Sequence, residues 1–306
     1  LNIDPETAAF PLDHLAIGKD PDANALVTRA VTLSYKMLNH RVGMLAAWLR
    51  AQGIVKGDRV ATWLSKTELA CLMPLAAARA GLVHIPVNPL LKQAQVAHIL
   101  ADSGARLLIS NAGRLNTLAG KTDCALFEDK IVENSLESAG TPMEPSAAAT
   151  DTSDLAAILY TSGSTGRPKG VMLSHANLTL GALSVAEYLK LSADDRTICV
   201  LPLSFDYGQN QLFSTWAAGG CAVPLDYLTP RDVMKACARE QITTLAAVPP
   251  LWVQLVEHDW PEEAVASMRR LTNSGGALTP TLVRQLRQTF GKKTDIYAMY
   301  GLTEAF

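Results

Sequence analysis

From residue 34 to the end, apolar runs of strand length alternate with longer stretches of helical periodicity, and this rhythm limits the fold more than any other feature. Leu38, Val42, Leu45, Ala46 and Leu49 recur at helical spacing, with Gly53 placed to end the helix. A strand over 58–64, a helix over 67–80, a strand over 83–87, a helix over 93–100 and a strand over 106–110 follow. In the second half, strands over 197–203, 221–225, 243–248, 271–273 and 295–299 are separated by helices over 209–218, 230–241, 251–258 and 281–290. Such alternation predicts an α/β fold with parallel sheets and right-handed crossovers. The Pro-, Ala- and Ser/Thr-rich stretch at 139–153 reads as a connection. It divides the chain into two βα-type subdomains, 1–150 and 151–306, which form a layered α/β sandwich around a shared cleft. Residues 1–33 carry little periodicity and read as an arm on the surface.

Composition removes several function classes. The 306 residues are 48% apolar and 18% charged, which suits a helix-covered sheet with a large core. A net charge of −2 supplies no basic surface for nucleic acid or membrane. Cys71, Cys124, Cys199, Cys221 and Cys237 are scattered without a C-x-x-C pair, and the six histidines lack ligand spacing. That pattern speaks against a disulfide framework or zinc cluster and for a reducing cytoplasm. No secretory segment opens the chain, and no apolar run reaches the roughly 20 residues of a membrane span. No G-x-G-x-x-G follows a strand of the first half, which therefore reads as scaffold lining one wall of the cleft.

The chemistry concentrates after Asp154. An apolar run from Leu155 to Tyr160 leads into Thr161-Ser162-Gly163-Ser164-Thr165-Gly166-Arg167-Pro168-Lys169-Gly170, and Val171, Met172 and Leu173 are apolar again. Gly163, Gly166 and Gly170 let the backbone turn N–H groups towards one point, the hydroxyls add donors, and Arg167 and Lys169 add charge. A concave, donor-rich loop of this kind suits a polyphosphate, and its composition predicts poor order without nucleotide. In a Walker loop the lysine opens a helix; here Pro168 precedes Lys169 and a strand follows, so the loop joins two strands. Ser174 is placed to cap the next helix, which runs to about residue 190, and His175 in its first turn reads as structural.

This loop resembles the phosphate loop of the adenylate-forming superfamily, which includes acyl-CoA synthetases, amino-acid adenylation domains and luciferases. Two further stretches match that resemblance in order: Asn273-Ser274-Gly275-Gly276-Ala277-Leu278, and Tyr300-Gly301-Leu302-Thr303-Glu304. The resemblance implies that Gly275, Gly276 and Ala277 pack on adenine, with Tyr300 and Gly301 on its other side. It implies that Thr303 contacts the α-phosphate, that Lys169 is the loop lysine, and that Glu304 holds Mg²⁺. A single acid suffices there, because Mg²⁺ takes one or two carboxylates together with phosphate oxygens. The implied reaction activates a carboxylic acid with ATP to an acyl-adenylate and passes it to a thiol, with CoA as acceptor. By the same resemblance the chain corresponds to the large N-terminal domain without the C-terminal lid, expected to bind nucleotide without full turnover.

Leu201-Pro202-Leu203-Ser204-Phe205-Asp206-Tyr207-Gly208 occupies the place of the acyl-pocket motif. Phe205-Asp206 is half of an amino-acid signature Phe-Asp-x-Ser, whose Asp pairs with the substrate ammonium; Gly208 stands where the Ser would be. Asp206 has two readings, a counter-ion or a cap for the helix near Gln209. The neighbouring motifs look more like acyl-CoA ligases, which makes the cap the expectation. Loading of an amino acid or a carrier protein is the alternative, and a non-catalytic nucleotide-binding module a third.

Overall fold

The computed structural model describes residues 10–146, 150–162 and 168–305. The first half runs β1 (Asn24–Val27), β2 (Thr32–Ser34), α1 (Tyr35–Ala51), β3 (Arg59–Trp63), α2 (Glu68–Arg79), β4 (Val83–Pro86), α3 (Gln93–Ser103) and β5 (Ala105–Ser110). It continues through α4 (Ala112–Leu118), β6 (Ala125–Glu128) and α5 (Asp129–Ser135). The second half opens with the hairpin β7 (Leu155–Ser162) and β8 (Pro168–Ser174), then α6 (His175–Tyr188), β9 (Arg196–Cys199), α7 (Asp206–Ala217) and β10 (Cys221–Pro224). It ends with α8 (Pro230–Arg239), β11 (Thr244–Ala247), α9 (Pro249–Leu255), α10 (Glu262–Ser267), β12 (Arg270–Asn273), α11 (Pro280–Phe290) and β13 (Asp295–Ala298).

Two sheets carry this chain, one in the order β6-β5-β3-β4-β7-β8 and the other β13-β12-β11-β9-β10-β1-β2. All pairings are parallel except β7–β8 and β1–β2. Strands β4, β10 and β11 are buried along their whole length, as parallel strands covered on both faces must be. One apolar cluster joins both sheets through α1, α2 and α7; it includes Val60 and Leu107 from one sheet and Leu26 and Ala222 from the other. Two further clusters pack α8, α9 and α11 on the seven-stranded sheet and α3 on the six-stranded sheet. The result is an α/β sandwich of alternating helix and sheet layers. Local chemistry starts the helices: the side chains of Ser34, Thr67 and Ser174 each accept from a backbone N–H in the first turn of α1, α2 and α6.

Three expectations need correction. From Phe10 onward the N-terminal segment is no surface arm: Leu12, Leu15 and Ala16 are buried, and β1 pairs with β10. Asp13 is fully buried against Arg79 at 3.1 Å and accepts from Ser146 N at 3.0 Å. A segment held by one ion pair and a four-residue strand has too little repeat for periodicity to detect. Second, the sheets do not divide at residue 150. The first half gives β1 and β2 to the seven-stranded sheet, and β7 and β8 complete the six-stranded one beside β4. Third, β9 stops at Cys199 and α7 begins at Asp206, so the strand is shorter and the helix starts earlier than the pattern implied.

Candidate functional site

A cavity of about 400 Å³ lies on the seven-stranded sheet, beneath α6 and α7, and extends to the segment after β12 and β13. Asp206, Ser274, Tyr300 and Gly301 all line it, so residues from three separate sequence motifs meet there. Its α6 wall is mainly apolar, with Leu180 and Val185 alongside Ser184 and Tyr188, and Leu189 follows just after the helix. On its α7 side it meets Asp206, Tyr207, Asn210, Gln211 and Ser214. This is one helix face at i, i+1, i+4, i+5 and i+8.

Asp206 occupies the first turn of α7, and the preceding N-cap residue is Phe205. The expected cap is therefore absent. The half-buried carboxylate makes no hydrogen bond or ion pair among the described residues, and it faces the cavity instead. Its place in the first turn still suits the positive end of the helix dipole. Phe205 is 38% exposed and does not line the cavity. Gly208 explains the broken amino-acid signature: a Cβ there would lie 1.9 Å from the Pro202 carbonyl oxygen, so no Ser fits without moving α7 or the 200–205 loop. Next to Asp206, the Tyr207 hydroxyl lies 2.7 Å from Thr272 Oγ1 on β12; burial pushes that phenol well above the ordinary tyrosine range.

The segment after β12 is shaped by its own backbone. Gly275 has φ +75°, which only a residue without a Cβ adopts easily, and Gly276 leaves 3.1 Å between an added Cβ and Pro249 Cγ. Asn273 Nδ2 donates to Gly276 O at 2.9 Å and closes the turn, while Asn273 O accepts from Met299 N at 2.8 Å. Gly275, Gly276 and Ala277 are consequently exposed, beside the cavity-lining Ser274. Tyr300 is 89% exposed, a bare ring at the mouth. Thr303 is buried in the turn Thr303–Ala305, and Glu304 is exposed without a partner among the described residues.

The glycine-rich loop joins β7 to β8, two antiparallel strands, as the sequence implied; Thr161 pairs with Lys169, and Lys169 is exposed. Gly163, Ser164, Thr165, Gly166 and Arg167 lie outside the described residues, and so does the expectation about their order. Gly170 is required by packing, since an added Cβ would meet Ile158 Cγ2 at 2.7 Å and Tyr160 Cζ at 3.1 Å. Tyr160 in turn donates to Asp102 Oδ2 at 2.6 Å.

Other candidate groups are structural. All five cysteines are free and buried, and desolvation pushes the Cys199 thiol up to about 12, which removes it as a nucleophile at neutral pH. His175 accepts from Leu12 N through Nδ1 at 3.1 Å, fastening the N-terminal segment to α6. Burial lowers the buried His84 to about 3. Among the described residues no cluster of three or more metal-ligating side chains occurs, and no helix is long and apolar enough to cross a membrane. A second cavity of about 670 Å³, between α2, α5 and the end of β10, has mixed charges and is lined by none of the candidate site residues.

Sequence reasoning missed Thr197, Asn210, Gln211 and Thr244, polar residues that are buried yet line the first cavity. The signal was available only in part, as a polar stripe continuing from Asp206 along α7.

Comparison with known proteins gives the family and the fold. The family profile described as AMP-binding enzyme matches residues 14–306. A feruloyl-CoA synthase from Amycolatopsis sp is 32% identical over 288 residues, which cover 93% of this chain and 57% of that protein. Tyrocidine synthase 3 from Brevibacillus parabrevis is 30% identical over 97% of this chain but only 4% of its own length. Among solved structures, ATP-bound MatB from Rhodopseudomonas palustris superposes with a TM-score of 0.86 at 28% identity, covering 97% of this chain and 60% of that one. VinN in complex with L-aspartate gives 0.86 at 25% identity, covering 97% and 78%. The chain thus spans little more than half of the feruloyl-CoA synthase it resembles.

Proposed function

The chain belongs to the AMP-binding enzyme family, and from that premise we propose that it activates a carboxylic acid with ATP, forming an acyl-adenylate and releasing pyrophosphate. The observation that supports this best is the convergence of Asp206, Ser274, Tyr300 and Gly301 on one cavity. A carboxylate oxygen attacks the α-phosphorus, and the bond to the bridging oxygen of pyrophosphate breaks. Both reactants are anions, so positioning and charge neutralisation carry the catalysis, and no covalent nucleophile is needed. Lys169 and the loop hydroxyls hold phosphate oxygens, Thr303 the α-phosphate, and Tyr300 and the Gly275–Ala277 backbone the adenine.

Glu304, an exposed carboxylate without a partner among the described residues, fits a Mg²⁺ ion held mainly by phosphate oxygens. That ion neutralises phosphate charge when bound. In the complete reaction a thiol attacks the acyl carbon and displaces AMP. CoA is the acceptor on the ligase reading, and a carrier-protein thiol on the adenylation reading.

Asp206 decides which acid to test first. A cavity-lining carboxylate unpaired among the described residues favours a substrate bearing an ammonium group, which must find a counter-ion once desolvated. The likeness to VinN, solved with L-aspartate, supports that reading, and the likeness to feruloyl-CoA synthase supports the CoA ligase of an aryl acid. The test is ATP–pyrophosphate exchange by the complete protein over amino, aryl and fatty acids. Acid-dependent exchange is expected, strongest for one amine-bearing acid; no exchange with any acid would end the proposal.

A further inference from the structure

The cavity floor carries polar atoms that make no hydrogen bond among the described residues. Asn210 is 7% exposed and lines the cavity, and its side chain makes no hydrogen bond among the described residues. Beside it, Gln211 gives its Nε2 to Ile198 O at 3.3 Å, which leaves Oε1 without a donor. The Thr197 hydroxyl on β9 is also unpartnered and 3% exposed overall. Unpartnered buried polar atoms occur elsewhere among the described residues too, but here three side chains that have them line one cavity large enough for a ligand. The terminal torsion of an Asn is broad, so a small rotation of Asn210 brings either amide atom onto a ligand.

Charge narrows the ligand further. Among the described residues the only charged side chain lining the cavity is Asp206; no Lys, Arg or His lines it. Asn210 lies one helical turn, about 6 Å along α7, from Asp206, and Ser214 lies two turns away. A second carboxylate on the substrate would reach a site with amide and hydroxyl groups and no cation. A purely apolar side chain would cover unpaired amide oxygens and leave them unsatisfied.

We infer that the acid taken by this cavity carries, about one to two helical turns from the end that meets Asp206, a neutral hydrogen-bonding group such as an amide or hydroxyl, which Asn210 recognises with Gln211 and Thr197. This rests on the adenylation reading above and names the substrate class of the same site. Methylene or ring atoms between the two ends pack against the apolar wall of α6.

Two series of similarly shaped acids test it in pyrophosphate exchange by the complete protein, with binding to the same protein measured calorimetrically. The first is L-asparagine, L-leucine and L-aspartate; the second is 4-hydroxycinnamate, cinnamate and 4-carboxycinnamate. The neutral polar member is expected to lead its series by at least about tenfold in kcat/KM, because a site built for hydrogen bonding rejects analogues that lack the group. Asn210→Leu is expected to reverse that order towards the apolar member. Gln209→Leu, which removes an equally unpartnered amide outside this cavity, is expected to leave the order unchanged. Equal or better exchange with the apolar or dianionic members, or exchange only with fatty acids, overturns the inference and leaves adenylation standing. Absence of exchange with every acid overturns both.

Discussion

Gly208 has the tightest surroundings of the glycines among the described residues, and its constraint is steric rather than conformational. A Cβ 1.9 Å from the Pro202 carbonyl oxygen cannot be accommodated without backbone movement. Gly208→Ser should therefore cost about 1–3 kcal/mol in urea denaturation and also weaken acid binding, since the same turn sets Asp206. Unchanged stability would mean the 200–205 loop yields freely. The charged residues separate by role. Lys169→Ala removes a phosphate contact and Glu304→Gln a metal contact, so raising Mg²⁺ should partly rescue exchange by the second variant only. Equal, Mg²⁺-independent losses would show that the metal assignment is wrong. Asp206→Ala should raise KM for an amine-bearing acid at least tenfold while barely moving KM for ATP, a charge-assisted hydrogen bond being worth about 1.5–3 kcal/mol. Motifs in the sequence mark Asp206, Tyr300 and Gly301, which line the cavity. Asn210 and Gln211 escaped because polar residues at helical spacing read as a solvated face, and only the cavity shows that the face points inward.

At the scale of elements, the link between α6 and β9 contains a buried carboxylate that ties three strands together. Asp195, 1% exposed, accepts from Thr243 Oγ1 at 2.8 Å and Arg270 Nη1 at 2.6 Å, and from Ser192 N at 2.8 Å. Thr243 precedes β11 and Arg270 opens β12, so one side chain fixes the N-terminal ends of β9, β11 and β12. Burial alone would raise this carboxyl, but the donors of Thr243, Arg270 and Ser192 and the Arg270 charge together hold it below the ordinary aspartate value. A folded-state value below the unfolded one makes the contribution fully present above the unfolded value of about 4 and lost as pH falls through the folded value. The wild type should thus lose stability on acidification below about pH 4, and Asp195→Asn should show a shallower acid loss from a lower start. An identical pH slope in both proteins would remove Asp195 from the account. Strands β9 to β13 of this sheet were legible because short apolar stretches alternate there with helical patterns along the chain. Short pieces such as β1, β2, β6 and α10 were not, since each lies outside the regular strand–helix alternation that marks its neighbours.

At the scale of the molecule, the two sheets are coupled by a shared helix layer and by one lysine. Lys66 stands between β3 and α2 of the six-stranded side. Its Nζ donates to Val200 O at 3.2 Å, Leu225 O at 3.1 Å and Asp226 Oδ1 at 3.0 Å, all at the strand ends of the seven-stranded sheet. Its side chain is only 9% exposed, so these bonds are shielded from solvent on the lysine side, whereas Asp226 at 49% is half open. The two carbonyls therefore matter more than the surface ion pair, which by itself is worth about 0–1 kcal/mol. Lys66→Met keeps the stem packed but strands both carbonyl oxygens, and should cost roughly 2–4 kcal/mol. Asp226→Asn retains an acceptor and should cost under about 1 kcal/mol. Because the apolar cluster runs unbroken from one sheet through α1, α2 and α7 to the other, both variants should still unfold in one transition. Far-ultraviolet circular dichroism reports both sheets, while tryptophan emission weights Trp48 and Trp63 of the first half against Trp216 and Trp252 of the second. Coincident curves at a lowered midpoint for Lys66→Met are the expected result. Curves that separate in the wild type would show that the sheets fold independently and that the helix layer does not couple them.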